Sequence, residues 1–181
     1  MKVFVHLAEG FEEIEALTVV DVLRRAGIEA ATVSVSGARL VTGAHGIAVQ
    51  ADGLFEETSY EGADMIVLPG GMPGTKNLAA HAGLVKTIEA FAEEDRWIAA
   101  ICAAPMILGG LGLLRGRNAV IYPGMEQHLS GARLSRDNVV RDGHIITSKG
   151  PGTAMEFALA LVGTLLGGDA AAELKRSMVV S

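Results

Sequence analysis

The chain has one cysteine, Cys102, placed where the apolar run Ile98 to Ile101 gives way to Ala103-Ala104-Pro105. A short apolar run of that kind reads as a buried strand. Proline is tolerated in a first helical turn, because its missing N–H would have had no partner there. A thiol at such a junction faces free backbone N–H groups and the positive end of a helix dipole, and both favour thiolate. The position therefore predicts a nucleophile that titrates below the ordinary thiol value of about 8.5. It is analogous to a nucleophile elbow, although G-x-S-x-G is absent. The plain alternative is a small buried hydrophobe, the usual fate of a free cysteine.

Pro69-Gly70-Gly71 follows a second apolar run, Met65 to Leu68. Glycines there let a backbone N–H approach a ligand closely and supply part of an oxyanion hole, whereas a Gly-Gly pair alone is more simply a turn. Four carboxylates, Glu9, Glu12, Glu13 and Glu15, stand where the first strand should pass into the first helix. The helix dipole accounts for acidic residues at that place. Glu15 also shares an apolar stripe with Val19, Val22 and Ala26, while Glu13 shares a competing one with Leu17 and Val20, so periodicity leaves both open. A buried carboxyl without a cation keeps its proton to higher pH and can serve as general acid and base.

The five histidines, at 6, 45, 81, 128 and 144, show neither H-x-E nor HExxH spacing, and one cysteine cannot build a thiolate site. No metal site is expected. His6 reads as a core residue of a strand, His144 as the neighbour of a hairpin turn, and His128 as a surface residue. Gly150-Pro151-Gly152-Thr153, with Lys149 beside it, reads as a helix start rather than an anion cradle.

These groups need a scaffold. The 181 residues are 50% hydrophobic but only 4% aromatic, with 23 glycines, which suits Val- and Ile-rich strands covered by Ala- and Leu-rich helices. One domain over residues 1–181 is expected. Strand-type runs at 2–7, 29–35, 65–68, 98–101 and 119–122 alternate with helical periods at 13–26, 84–94, 103–113 and 153–166. Residues 36–50 and 139–146 read as hairpins, the second turning at Asp142-Gly143. Continuous apolar strands separated by helices mean an α/β fold with a mostly parallel, doubly wound sheet. Ligands bind at the carboxyl ends of such strands. That rule selects Ala8–Glu12, Pro69–Gly74, Cys102–Pro105 and Tyr122–Gly124.

A net charge of -6 offers no electrostatic grip on nucleic acid or an anionic membrane. A lone cysteine excludes an intramolecular disulfide. The start, MKVFVHLAEGFEE, turns acidic too early for a signal peptide. Trp97 to Leu114 carries no charge over eighteen residues, but Pro105, Gly109, Gly110 and Gly112 make it a strand followed by a buried helix rather than a membrane span. A soluble cytoplasmic protein is expected.

AEGFEEIE (8–15), VLPGG (67–71), AAICAAP (99–105) and TSKGPGTAMEF (147–157) together resemble the ThiJ/PfpI superfamily, and within it the parkinsonism-associated deglycase branch. The resemblance runs over essentially the whole chain. It implies a flavodoxin-like sandwich, a homodimer, and a cofactor-free glyoxalase or deglycase acting on methylglyoxal-type α-oxoaldehydes or their early adducts. By the same resemblance Cys102 is the nucleophile, Glu15 its protonated partner, and the N–H groups of Gly71 and Ala103 the oxyanion donors, with Gly70 and Tyr122 auxiliary. A non-enzymatic role as oxidative-stress sensor or chaperone, governed by Cys102 oxidation, is the alternative it implies. Tyr122 stands where many members of the branch carry a histidine, and with a pKa near 10 it is a poor base at neutrality. Ala103 replaces the histidine that protease-like relatives place after the cysteine, and no histidine-glutamate pair suits an amidotransferase.

Overall fold

A computed structural model describes residues 1–181. β1 (Lys2–Leu7), α1 (Glu13–Arg25) and β2 (Glu29–Ser34) open the chain. A hairpin of β3 (Leu40–Thr42) and β4 (Ala48–Gln50) leads through β5 (Gly53–Leu54) to β6 (Met65–Leu68). Then come α2 (Gly74–Ala80), α3 (Ala82–Glu93), β7 (Trp97–Ile101) and α4 (Pro105–Gly110). β8 (Asn118–Ala119), β9 (Arg133–Leu134), β10 (Val139–Asp142) and β11 (Ile145–Ser148) precede α5 (Ala154–Leu166) and α6 (Gly168–Ser177).

Seven strands form one sheet in the order β10-β11-β7-β6-β1-β2-β5, parallel throughout except for the β10–β11 hairpin. Its central strands β1, β6 and β7 are buried on both faces, which is why they read as unbroken apolar runs rather than alternating ones. Val3, Val5 and Leu7 of β1 pack with α1 and α5, whereas Phe4 of β1 and Ile66 and Leu68 of β6 pack with residues of α2, α3 and α4. From β1 the chain moves outward to β2 on one face, and from β6 it moves the other way to β7 on the opposite face. The connections thus diverge between β1 and β6, and the crevice they leave lies at the strands' carboxyl ends. Glu15, Gly70 and Cys102 follow those ends.

The doubly wound α/β sheet and both hairpins stand as expected. Four elements differ. The stretch Ala119–Tyr122 is no strand of the main sheet, since β8 covers only two residues and pairs with β9 in a separate ribbon. Its backbone is engaged elsewhere, Val120 N–H donating to Thr147 Oγ1 at 3.0 Å and Tyr122 N–H to the Cys102 carbonyl at 2.9 Å. The helix after Cys102 is shorter than its apolar run, ending at Gly110 before Gly112, which takes φ +72°. Helices α2 and α6 lie outside the helical periods of the sequence reading. Trp97–Leu114 divides into β7 and α4, and no helix is long and apolar enough to cross a membrane.

Candidate active site

Cys102 sits directly after β7 with φ +63°, in the left-handed region. For a residue with a Cβ that conformation costs about 1–2 kcal/mol and persists only where the surroundings hold it. Here its N–H donates to the Ser148 carbonyl and its own carbonyl accepts from Tyr122 N–H, each at 2.9 Å. Those bonds aim the side chain back over the sheet end. The N–H groups of Gly71 and Ala103 lie beside the sulfur and favour its charged form. The backbone thus turns sharply at this junction.

Glu15, on the buried face of α1, is fully buried and faces the thiol across Gly70. Gly70 N–H donates to Glu15 Oε2 at 2.7 Å, and the Gly70 carbonyl accepts from Glu12 N–H at 2.9 Å. Both backbone groups of Gly70 thereby tie the start of α1 to the turn after β6. A Cβ on Gly70 would lie 2.6 Å from Cys102 Cβ and 2.8 Å from Glu15 Oε2, so only glycine fits between nucleophile and carboxyl. Gly71 has φ +86° and would bring a Cβ within 2.4 Å of Glu12 N.

Burial pushes the Glu15 carboxyl up to about 7, against the N–H of Gly70 that favours its charged form. Burial also pushes the Cys102 thiol up, to about 12, with the neighbouring Glu15 charge adding to the effect and the two N–H donors opposing it. The sequence-based expectation of a low thiol pKa is thus reversed for the resting site. The helix-dipole argument behind it weakens because α4 begins three residues further on and is six residues long. Two anions side by side cannot both persist here, so at neutral pH the pair holds at least one proton and titrates as a unit. Glu15 Oε1 is buried with no hydrogen-bond partner. Such an orphaned oxygen costs about 1–3 kcal/mol until a proton or a ligand satisfies it.

The remaining candidates separate cleanly. Glu13 turns away from the thiol to the β3–β4 hairpin, accepting from His45 N–H at 2.7 Å and from His45 Nδ1 at 2.9 Å. That leaves Glu15 as the carboxyl of the site. Glu9 is exposed and accepts from Thr42 N–H. His6 is buried, 2.7 Å from Tyr60 Oη through Nε2, and burial lowers its pKa to about 4, so it is a neutral core residue. His128 is exposed, and Lys149 Nζ is engaged by the Arg136 carbonyl at 2.6 Å. Tyr122 is 46% exposed and flanks the site. Its ring borders Gly150, where an added Cβ would lie 3.2 Å from Tyr122 Cδ2 and 4.0 Å from Cys102 Sγ. Gly150 and Ser148 are site residues that sequence reasoning did not select. TSKGPGT looked like a helix start, and it is one, with Thr153 Oγ1 bonded to Gly150. Only the β11–β7 pairing brings it beside the thiol.

The sequence pattern of the DJ-1/PfpI family matches residues 1–164. The chain is 39% identical to protein DJ-1 homolog B of Arabidopsis thaliana over 99% of its own length, but it spans only 41% of that relative. It is 35% identical to the glutathione-independent glyoxalase DJR-1.2 of Caenorhabditis elegans, covering 88% of this chain and 85% of that one. Its fold is similar to that of oxidized Toxoplasma gondii DJ-1, with a TM-score of 0.95, 36% identity, and coverage of 98% of this chain and 97% of the other.

Proposed function

The chain belongs to the DJ-1/PfpI family, and on that footing we propose that it is a cofactor-independent glyoxalase or deglycase, acting on methylglyoxal-type α-oxoaldehydes or their early adducts. The observation that carries this reading is the buried Glu15 carboxyl set against Cys102 with only Gly70 between them, beside the N–H groups of Gly71 and Ala103, which favour charge on the sulfur. The name borne by the worm relative supports the same substrate class.

In the productive state the pair's proton resides on Glu15 and the charge on sulfur. Thiolate adds to the aldehyde carbon of methylglyoxal, and the new alkoxide takes the Glu15 proton to give a hemithioacetal. Glu15, now a carboxylate, removes the hydrogen from that carbon and returns it to the neighbouring carbon, while the hydroxyl proton of the first carbon passes to the oxygen of the second, leaving a lactoyl thioester. Water cleaves the thioester to lactate and restores the thiol. The N–H groups of Gly71 and Ala103 stand where developing charge needs donors. A carboxyl pushed up to about 7 suits both halves of the proton transfer, because a catalytic pKa works best near the working pH. No imidazole stands by to activate the water, so thioester hydrolysis is the slow half of this cycle.

Lactate formation from methylglyoxal without glutathione is the test. The wild type is expected to form lactate and Cys102→Ser none. A wild type no faster than Cys102→Ser would sink the enzymatic reading. The second reading, an oxidative-stress sensor or chaperone, rests on the partial exposure of the lone cysteine. A thiolate at that position is where stepwise oxidation to sulfinate would occur, and a related structure is described as oxidized.

The same proposal includes a homodimer. Ile14 and Leu17 lie one turn apart on α1 and are 56% and 38% exposed, an apolar pair without cover in the single chain. Light scattering is expected to give twice the chain mass for the wild type and a lower mass for Leu17→Glu. A monomeric wild type would remove this part.

A further inference from the structure

Resting on the glyoxalase or deglycase reading above, we propose that Tyr122 and Gly150 form a slot beside Cys102 for the substrate's substituent, and that this slot selects aromatic α-oxoaldehydes over methylglyoxal. Gly150 is the first sign of a space kept open. Its backbone is extended, at φ 165° and ψ -167°, which any residue adopts, so conformation does not require glycine there. What a side chain would fill is the space next to the thiol. An added Cβ would lie 3.2 Å from Tyr122 Cδ2, 3.5 Å from Tyr122 Cε2 and 4.0 Å from Cys102 Sγ, and no other atom comes nearer. The space therefore takes a carbon atom in contact with the ring, and a group carried on the sulfur can lie against Tyr122.

Tyr122 is the second and independent sign. Among the Phe, Tyr and Trp residues of the chain it is the one left exposed. The other rings are buried or half-buried, and several pack against one another, as Phe4, Phe55 and Phe91 do around Tyr60. An aromatic ring left in water forgoes a large burial that a bound apolar group restores. A ring at the mouth of a reactive site, with an unfilled space between it and the nucleophile's neighbourhood, is placed to be covered by substrate.

Both walls are fixed before any ligand arrives. Tyr122 N–H donates to the Cys102 carbonyl at 2.9 Å, and the Tyr122 carbonyl accepts from Met125 N–H at 3.0 Å. Gly150 N–H donates to Thr153 Oγ1 at 3.1 Å, and the Gly150 carbonyl accepts from Thr153 N–H at 2.9 Å. The backbone that carries the ring is thus tied to the nucleophile itself. A slot fixed in this way loses little freedom when a substituent enters it. An aromatic substituent gains most, because paired rings attract beyond what their buried area accounts for. A methyl group covers little of the tyrosine ring.

Alkylation tests the slot without relying on turnover. Phenacyl bromide and bromoacetone present the same reacting carbon and differ only in phenyl against methyl. The Cys102 sulfur displaces bromide from either, a C–S bond forming as the C–Br bond breaks and the thiol proton passing to solvent. Cys102 is the one cysteine, so intact mass, with Cys102→Ser as the blank, follows that thiol alone. The phenacyl-to-acetonyl rate ratio of the wild type is expected to exceed that of N-acetylcysteine by about threefold to tenfold. Tyr122→Phe is expected to keep the excess, as is Leu134→Ala, which alters an exposed apolar residue of β9. Tyr122→Ala and Gly150→Ala, both folded by circular dichroism, are expected to fall to the ratio of the free thiol. The slot is overturned if the wild type shows no excess, or if Tyr122→Ala and Gly150→Ala retain it. An aryl preference in a protein that forms no lactate supports the slot and sinks the glyoxalase reading alone; lactate formation without that preference does the reverse.

Discussion

Glu15→Gln is expected to lower the rate of lactate formation by about 10²–10⁴-fold while making the protein more stable at alkaline pH. The two effects share one cause. Glutamine keeps the shape of the carboxyl and can accept from Gly70 N–H, but it neither yields nor takes a proton at neutral pH. The stability effect follows from linkage. Glu15 titrates at about 7 in the fold against 4.5 for an unperturbed glutamate, so between those values the native state holds more protons than the unfolded one. Stability is therefore fully present below about 4.5, falls as pH rises through 7, and stays reduced above it. The shift corresponds to about 3 kcal/mol, which Glu15→Gln does not lose. Thermal melts of the two proteins should nearly coincide at pH 4.5 and separate by about 5–10 °C at pH 8, with the variant higher. A variant that melts below wild type at pH 8 would refute the claim that burial holds the Glu15 proton.

Gly70→Ala is the second large effect. Its methyl would meet Cys102 Cβ at 2.6 Å, Glu15 Oε2 at 2.8 Å and the Ile101 carbonyl at 3.0 Å. None of these is the free end of a flexible side chain, since the Ile101 carbonyl belongs to β7 and Glu15 is buried in α1. The methyl must push nucleophile and carboxyl apart. Overpacking of this kind costs about 1–3 kcal/mol, and a displacement near 1 Å at reacting groups costs about 10²-fold in rate. Gly110→Ala is the matched control, because nothing lies within 4 Å of its added methyl. It sits at the end of α4 and is expected to be neutral or stabilising by up to about 1 kcal/mol. Parallel kinetics and urea unfolding of the two variants would settle the contrast. Equal activities would show that Gly70 is an ordinary turn residue.

The parts of this molecule that show in its sequence are those set by local physics. Unbroken apolar runs such as Met65–Leu68 can only be buried strands, and Asp142-Gly143 can only turn tightly, so the doubly wound sheet follows from patterns a few residues long. Cys102 was legible for the same reason, as the residue where such a run stops. What stayed hidden depends on residues distant in the chain. The choice between Glu13 and Glu15 turns on where the β3–β4 hairpin lies, because His45 and Ile47 claim Glu13. The thiol's upward shift depends on burial against Glu15, which no spacing around Cys102 reveals. Ala119–Tyr122 has every local mark of a strand, yet Thr147 and Cys102 take up its backbone first. Gly150 joins the site only through sheet order.

The bonds that hold Cys102 in its left-handed turn come from Tyr122 and Ser148, and the carboxyl opposite is fixed by Gly70, 55 residues away along the chain. These supports are nonlocal, and each requires a loop of the chain to close before it can form. A nascent chain that has passed Cys102 but not yet made β11 has the cysteine without the elbow. Completion of the sheet is thereby what sets the cysteine and the Glu15 carboxyl against each other, and an emerging polypeptide carries the two groups apart.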